Sequence, residues 1–294
     1  IDIGGPTMVR AAAKNYNDVT VITSVNQYSD LINELEHYKG QTSFKFREKM
    51  SKNAFAETAF YDSLISDYFN KISKDHFPKR KIFHANLIEK LRYGENPHQT
   101  GAIYSMDSSL NLNQLHGKQL SYNNFNDIYA ALLISKSLPK NNGVVIIKHA
   151  NPCGISILRN KLQSYKSALA CDPISAFGGV VSCNFKISSS VAIELSKIFL
   201  EVIIANGFEK NALKILKQKK NIRIIDSSNF LLNKNFKINS TNNAYLLQNE
   251  DKIKFNIKDF KIVSKIKPNK TQIKNLIFAF NVCRYVKSNA IVLA

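Results

Sequence analysis

The sequence lacks the long apolar segments of a membrane protein. No run of roughly eighteen uninterrupted apolar residues, the length needed to cross a bilayer, occurs among the 294 residues. No charged and then apolar leader of the secretory kind stands at the front. We therefore expect no membrane partner and a cytoplasmic location.

Cysteine is scarce, and the four cysteines are Cys153, Cys171, Cys183 and Cys283. None forms a CxxC pair, and no histidine cluster has the spacing of zinc ligands. This pattern predicts free thiols in a reducing compartment and no metal site. The sequence also contains no Walker A, GxGxxG, HExxH or GxSxG signature, and no HxE…PCxxC pattern of zinc deaminases.

Acidic residues are few, since 22 Asp and Glu stand against 41 Lys and Arg, for a net charge of +19. A basic domain can bind nucleic acid by neutralising phosphates. Here the excess is mostly lysine, scattered except at 79–81 and 217–220, and it accompanies abundant Asn and Ile with AT-rich codons. Compositional drift is therefore favoured, with a basic nucleic-acid-binding module as the alternative.

Strands alternate with helices along the chain, which predicts the α/β class. We expect a strand over 18–25, one long amphipathic helix or two over 44–72, and a linker over 71–88. The polar, Asn-rich stretch 227–260 resists placement. The chain begins on Ile1 rather than Met and ends on the strand-like run 289–294, so we expect a fragment of a longer protein.

The stretch VVIIKHANPCG at 144–154 is the sharpest functional signal. A strand that is apolar on both faces is usually covered by helices on both faces, and its carboxyl end is where open α/β sheets place their chemistry. Here that end carries Lys148 and His149, followed by an expected Asn-Pro turn. Histidine can take a proton near neutral pH, and an adjacent lysine can stabilise negative charge. The alternative is a polar cap on a strand.

Four other stretches are rich in groups that bind ligands. DIGGPTMVRAAAKN places a Gly-Gly turn at a helix start, which suits a phosphate or carboxylate. RYGENPHQ and LHGKQLSYNNFND are dense in polar side chains, and CDPISAFGG joins an aromatic ring to two glycines that allow close approach of a pteridine or purine. Read singly, the Gly-Gly stretch favours a simple tight turn and LHGKQLSYNNFND a surface loop, whereas RYGENPHQ and CDPISAFGG are equally well an ordinary loop or turn.

Taken in order, the stretches resemble one family, the bifunctional purine-biosynthesis enzyme AICAR formyltransferase/IMP cyclohydrolase. The matching segments are DIGGPTMVRAAAKN, LRYGENPHQ, LHGKQLSYNN.ND, IKHANPCG, A.ACDPISAFGG and VKSNAIVLA. The resemblance covers essentially the whole chain, although 227–260 matches loosely. The family's APG segment reads Ala205-Asn206-Gly207 here.

The resemblance implies two domains and two reactions. Residues 1–75 resemble the end of the cyclohydrolase domain, with a methylglyoxal-synthase-like fold, and 76–294 resemble the first part of the formyltransferase domain, with a cytidine-deaminase-like fold. The implied activity transfers a formyl group from the cosubstrate 10-formyltetrahydrofolate to AICAR, giving FAICAR, which closes to IMP with loss of water. A homodimer is implied, with no tightly bound cofactor and no nucleic acid. An inactive remnant is the remaining alternative.

The resemblance also implies roles for individual residues. The catalytic residues it implies are Lys148, His149 and Asn289 for formyl transfer, and Asp2 and Lys14 for ring closure. His149 is expected to accept the proton of the attacking amine, Lys148 to support the leaving folate or the tetrahedral intermediate, and Asn289 to position the formyl group. The substrate-binding residues it implies are Arg92, most plausibly at the phosphate, Tyr93, His98, Phe177 and Gly178.

Overall fold

The structure, a computed structural model, describes residues 1–107, 109–232, 236–251 and 253–294. It divides into two compact units, Ile1–Asn86 and Leu87–Ala294. The border expected from the family resemblance, after residue 75, falls inside the first unit. That the two units correspond to the two family domains stays a prediction.

The first unit is built mainly from three α-helices. Its α-helices are α1 (Gly4–Lys14), α2 (Tyr28–His37) and α3 (Phe44–Ile72). Helix α3 is a single helix of 29 residues, which decides between the expected one helix or two. The hydroxyl of Ser43 begins it by accepting the N–H of Phe46 at 3.2 Å. Helix α1 packs on α3, where the Ser51 hydroxyl donates to the Ala13 carbonyl at 2.7 Å.

The expected strand over 18–25 is wrong. Residues 19–24 form neither helix nor strand, and a short 3₁₀ helix follows at Val25–Gln27. An extended segment becomes a strand only when a neighbour accepts and donates its backbone hydrogen bonds. The described residues of this unit supply no such neighbour. The same holds for the expected strand at 289–294, which has no strand partner in the described part of its unit.

The second unit opens with a small sheet of β1 (Asn86–Leu91) and β2 (Gly101–Ser105). Its main sheet has six strands, which are β3 (Asn113–His116), β4 (Val144–Lys148), β5 (Asn151–Ser156), β6 (Gly179–Cys183), β7 (Leu200–Ala205) and β8 (Arg223–Asp226). A separate antiparallel hairpin consists of β9 (Phe236–Thr241) and β10 (Ala244–Asn249). The hairpin lies in the stretch 227–260 that the sequence left unplaced, of which 233–235 and 252 lie outside the described residues.

The main sheet is mixed. Its strand order is β3-β8-β7-β6-β4-β5, in which β6, β7 and β8 are parallel and the other pairs are antiparallel. The α-helices of this unit are α4 (Tyr122–Ser135), α5 (Lys161–Cys171), α6 (Ser189–Ser196), α7 (Lys210–Lys217) and α8 (Lys270–Cys283). Alternating helices and strands around a mixed sheet confirm the α/β class.

The two faces of the main sheet are both buried. Val144 and Ile146 of β4 lie in one apolar cluster, with residues of α5, α6 and α7, while Val145 and Ile147 lie in a second cluster with residues of α4. All four side chains are 0% exposed. This confirms that the apolar strand is covered on both faces. None of the described helices is long and apolar enough to cross a membrane.

Candidate functional site at the end of strand β4

The end of β4 meets the beginnings of its neighbours. Strand β4 is antiparallel to β6, so Lys148 lies beside the start of β6 at Gly179 and, beyond it, the start of β7. The site therefore lies at the carboxyl end of β4, as expected, but at the amino ends of the three parallel strands. The difference arises because β4 runs against them, so the carboxyl-end rule for parallel strands does not apply to the whole edge.

A two-residue turn made by His149 and Ala150 follows β4. Both residues have left-handed backbone angles, with φ of 42° and 57°. Lys148 pairs with Asn151 across the turn, so the connection is a tight hairpin with positive φ at both central positions. The expected Asn-Pro turn is wrong, because Asn151 and Pro152 are already the first residues of β5.

Lys148 joins β4 to the loop before β6. Its ammonium donates to the carbonyl oxygens of Phe177 at 3.3 Å and Gly178 at 3.1 Å. The Gly178 N–H in turn donates to the Phe199 carbonyl at 2.8 Å. Phe177 is 63% exposed, and its ring contacts the Phe199 ring, with centroids 5.3 Å apart. The structure thus brings together Lys148, Phe177 and Gly178, which sequence alone connects only through the resemblance.

Two carboxylates lie near this turn. Asp127 of α4 accepts the Ala150 N–H at 2.6 Å. Burial raises the pKa of Asp127, the Ala150 amide and the charges of His149 and Lys148 oppose the rise, and the charge of Glu201 adds to it. Glu201 of β7 accepts a hydrogen bond from the Asn124 side chain at 2.7 Å. Neither carboxylate was singled out from the sequence.

Helix α4 holds Asn124 and Asp127 in place through its capping box. The Ser121 hydroxyl accepts the Asn124 N–H at 3.2 Å, and the Asn124 side chain accepts the Ser121 N–H at 3.1 Å. This box starts the helix so that Asp127 reaches the turn after β4. The capping pattern and Asp127 both lie in the sequence LHGKQLSYNNFND. Nothing in that sequence, however, shows which distant backbone group the carboxylate of Asp127 contacts.

The loop 92–100 carries three of the predicted substrate-binding residues. It is closed by the Gly94 N–H donating to the Gln99 carbonyl at 2.7 Å, and the Asn123 side chain ties it to α4 through the Glu95 carbonyl at 3.1 Å. The Arg92 guanidinium lies 5.8 Å from the Tyr93 ring centroid. No contact in the described part of the chain joins His98, which is exposed, to Lys148 or His149.

A second arginine lies close to this loop. Burial lowers the pKa of Arg223, the first residue of β8, the charge of Glu201 opposes this, and the charge of Arg92 adds to it. The Arg223 guanidinium lies 3.8 Å from the Glu201 carboxylate. The two guanidiniums are close enough for their charges to interact, and the Glu201 carboxylate partly offsets the charge of Arg223. Guanidinium groups bind carboxylates and phosphates.

Asn289 lies in the segment that follows α8. The Lys287 N–H donates to the Asn151 side chain at 3.4 Å, and Asn151 closes the turn after β4. The Ser288 hydroxyl donates to the Asn289 side-chain oxygen at 3.1 Å. The segment of Asn289 is therefore attached beside the His149 turn.

Asp2 and Lys14 lie at opposite ends of α1 in the first unit. An Asp2 carboxylate oxygen accepts the Gly5 N–H at 3.3 Å, and the Asp2 N–H donates to the Tyr61 hydroxyl at 2.8 Å. Lys14 is the last residue of the helix. At about 1.5 Å of rise per residue, the first and last residues of the helix lie roughly 15 Å apart along its axis. The structure does not bring this predicted pair together.

No group of His, Cys, Asp and Glu side chains suited to a metal ion occurs among the described residues. A cavity of about 430 Å³ lies at the other end of the main sheet, lined by residues that include Asp226 and Asn229. It contains none of the predicted site residues. The end of β4 is instead open to solvent, and His149 and Phe177 are both exposed there.

Comparison with known proteins gives a consistent result. Residues 12–294 match the family model described as AICARFT/IMPCHase bienzyme. The chain is 41% identical over 303 residues to the bifunctional purine biosynthesis protein PurH of Acetivibrio thermocellus, covering 100% of the chain and 59% of that protein. It is 41% identical over 298 residues to PurH of a Thermoanaerobacter species, covering 100% and 58%. The chain thus spans about three fifths of the length of the relatives it matches.

Proposed function

Since the chain belongs to the AICARFT/IMPCHase bienzyme family, we propose that the edge of the main sheet at the end of β4 is its formyl-transfer site. The protein takes a formyl group from 10-formyltetrahydrofolate and places it on the 5-amino group of AICAR, giving FAICAR. In the longer protein FAICAR then closes to IMP with loss of water. The observation that carries this proposal is the Lys148-His149 pair, held beside the Phe177-Gly178 loop by two hydrogen bonds of the lysine.

In this reaction the amine nitrogen of AICAR attacks the formyl carbon, and the bond from that carbon to N10 of the folate breaks. His149 accepts the proton that the amine loses, directly or through the substrate carboxamide, which neutral imidazole does well near pH 7. N10 of the leaving folate takes up a proton. An ammonium has three donors, and Lys148 uses two of them on carbonyls. The third is aimed at the leaving folate or at the tetrahedral intermediate.

The surrounding residues serve binding in this proposal. Arg92 takes the AICAR phosphate, with Tyr93 and His98 in the same loop. Phe177 supplies a stacking surface, since this aromatic residue is 63% exposed. Asn289 positions the formyl group from the segment attached beside the turn.

The remaining parts of the proposal concern the whole protein. The first unit belongs to the cyclohydrolase domain, of methylglyoxal-synthase-like fold, with Asp2 and Lys14 acting in ring closure. The second unit belongs to the cytidine-deaminase-like formyltransferase domain. The protein works in the cytoplasm as a homodimer. Family membership accounts for the chain without a nucleic-acid role, so the basic binding module is not favoured.

Release of tetrahydrofolate on mixing AICAR with 10-formyltetrahydrofolate tests this function. The assay uses this chain and a form lengthened to match its relatives, each with His149→Ala. We expect His149→Ala to lower the rate by about 10²–10⁴-fold, the usual contribution of a general base, while the circular dichroism spectrum stays unchanged. His37→Ala, at the exposed end of α2, is the matched control. Transfer retained by His149→Ala overturns the assigned role.

A further inference from the structure

The turn that carries His149 is conformationally unfavourable for its sequence. His149 and Ala150 both adopt left-handed backbone angles, at φ of 42° and 57°, and neither is glycine. A Cβ atom disfavours this region, and tight hairpin turns of this type usually contain Asn, Asp or Gly. Such geometry persists only where the surroundings determine it, and it concentrates at functional sites.

Asp127, on helix α4, stabilises the left-handed turn. Its carboxylate accepts the Ala150 N–H at 2.6 Å, a short charge-assisted hydrogen bond. The helix that carries Asp127 is fixed, because Ile128 and Ala131 of α4 are 0% exposed in the core beneath the sheet. A rigid helix thus holds Ala150, the second residue of the turn, while β4 holds Lys148, the residue just before the turn.

The environment of Asp127 is costly for a carboxylate. Burial raises its pKa, the Ala150 amide, His149 and Lys148 act against the rise, and Glu201 adds to it. Lys148, His149 and Glu201 are the charged and titratable groups that face it. A carboxylate that served only to cap or solvate α4 would lie exposed in water. Asp127 is instead half-buried, with Lys148, His149 and Glu201 close enough to influence its ionisation, which is typical of functional positions.

We propose that Asp127 is a positioning residue for formyl transfer, which fixes the His149–Ala150 turn and thereby aims the His149 imidazole at the substrate amine. It acts through the turn backbone and touches no reacting atom. The inference rests on the proposed function, since it assigns Asp127 a purpose within that reaction.

A rescue experiment tests this role in the lengthened protein. Asp127→Ala removes the acceptor, and we expect kcat to fall by up to about 10²-fold, the effect of a misplacement of around 1 Å, with the KM for AICAR nearly unchanged. Ala150→Gly removes the Cβ that disfavours the left-handed angle. The double variant Asp127→Ala/Ala150→Gly should therefore recover much of the lost kcat. Asp127→Asn keeps an acceptor oxygen and should fall less than Asp127→Ala.

Asp226→Asn is the matched control, since Asp226 accepts the Ser228 N–H at 2.9 Å at the far end of β8. It should leave kcat unchanged. If Asp127→Ala keeps full kcat, or if Ala150→Gly restores nothing, Asp127 does not act through the turn. Should Asp127→Ala fail to fold, the same comparison is made between Asp127→Asn and Asp127→Asn/Ala150→Gly.

A second measurement separates this inference from the proposed function. In the 294-residue chain, the NMR shift of the Ala150 amide proton should follow the ionisation of Asp127, with a midpoint raised above that of an ordinary aspartate, and lose this pH dependence in Asp127→Asn. If the chemical shift of the Ala150 amide proton does not change with pH, the positioning role is contradicted, whatever the enzyme activity. An amide that titrates as expected in a protein without formyl transfer contradicts the proposed function and leaves the held turn standing.

Discussion

The ammonium nitrogen of Lys148 lies 3.1 Å from the carbonyl oxygen of Gly178. This hydrogen bond joins two motifs that are 30 residues apart in sequence. It forms because β4 and β6 are antiparallel neighbours, so the end of one strand lies beside the start of the other. Lys148, which we propose to be catalytic, is therefore held directly against the loop of Phe177 and Gly178.

Gly178→Ala should disturb the contact between Lys148 and this loop. A Cβ at Gly178 would lie 3.2 Å from the Lys148 nitrogen, on a backbone with φ of 67°. We expect a loss of about 1–2 kcal/mol in the free energy of unfolding, the usual cost of a left-handed angle for a residue with Cβ, together with a lower rate of formyl transfer. Chemical denaturation and the tetrahydrofolate assay measure the two effects.

Gly207→Ala separates backbone strain from displacement of the lysine. Gly207 also has a left-handed angle, with φ of 92°, but its nearest neighbours are side chains at 3.6 Å and 3.7 Å. It should lose similar stability without losing transfer. Equal losses of transfer in both variants would show that the contact with Lys148 is irrelevant.

Arg92→Ala should weaken AICAR binding. A hydrogen bond to a charged group contributes about 1.5–3 kcal/mol, so we expect the dissociation constant to rise by roughly 10–100-fold. Isothermal titration calorimetry measures it, with Arg159→Ala as a control on an exposed arginine outside the site. An affinity that is unchanged in Arg92→Ala removes this residue from the phosphate site.

The thiols of Cys153, Cys171 and Cys183 should differ sharply in reactivity. Burial raises the pKa of Cys183 to about 12 and, as the largest cause, that of Cys153 to about 11, whereas Cys171 is exposed. Because the thiolate is the reactive form, a thiol reagent at pH 8 should label Cys171 in a fast phase. Cys171→Ser should abolish that phase. If the phase persists and maps to Cys153 or Cys183, the burial of these residues is wrong.

The pH dependence of stability should reveal Asp127. Its pKa is raised in the folded state, chiefly by burial, so the folded protein holds this proton more tightly than the unfolded chain does. The contribution is fully present below the unfolded pKa, near 3.9, and is lost as pH rises through the folded pKa. Urea unfolding at several pH values should show Asp127→Asn gaining stability over wild type as pH increases. A change of the opposite sign would contradict the burial of this carboxylate.

The sequence was sufficient where local pattern decides the structure. Four β-branched residues predicted the strand 144–148 with the bounds that β4 has, and burial on both faces followed from their lack of alternation. It was insufficient where a distant partner decides. Residues 18–25 and 289–294 have strand-like composition, yet an extended segment without a paired neighbour is not a strand.

The site was predicted only in part for the same reason. Lys148 and His149 were conspicuous because charge interrupts an apolar run. Asp127 and Glu201 were missed because their roles depend on contacts across the fold. The Asn124–Glu201 hydrogen bond, for example, spans 77 residues. Such a contact has no local signature, although an acidic residue inside LEVIIA is itself unusual for a buried strand.

The most direct test of the account is a map of amide chemical shifts in the labelled 294-residue chain as AICAR is added. We predict that the largest changes cluster at three places, which are the turn 148–150, the loop 177–178 and the start of the loop at 92–93. Changes confined to other surfaces, such as the cavity beside Asp226, would contradict a substrate site at the end of β4.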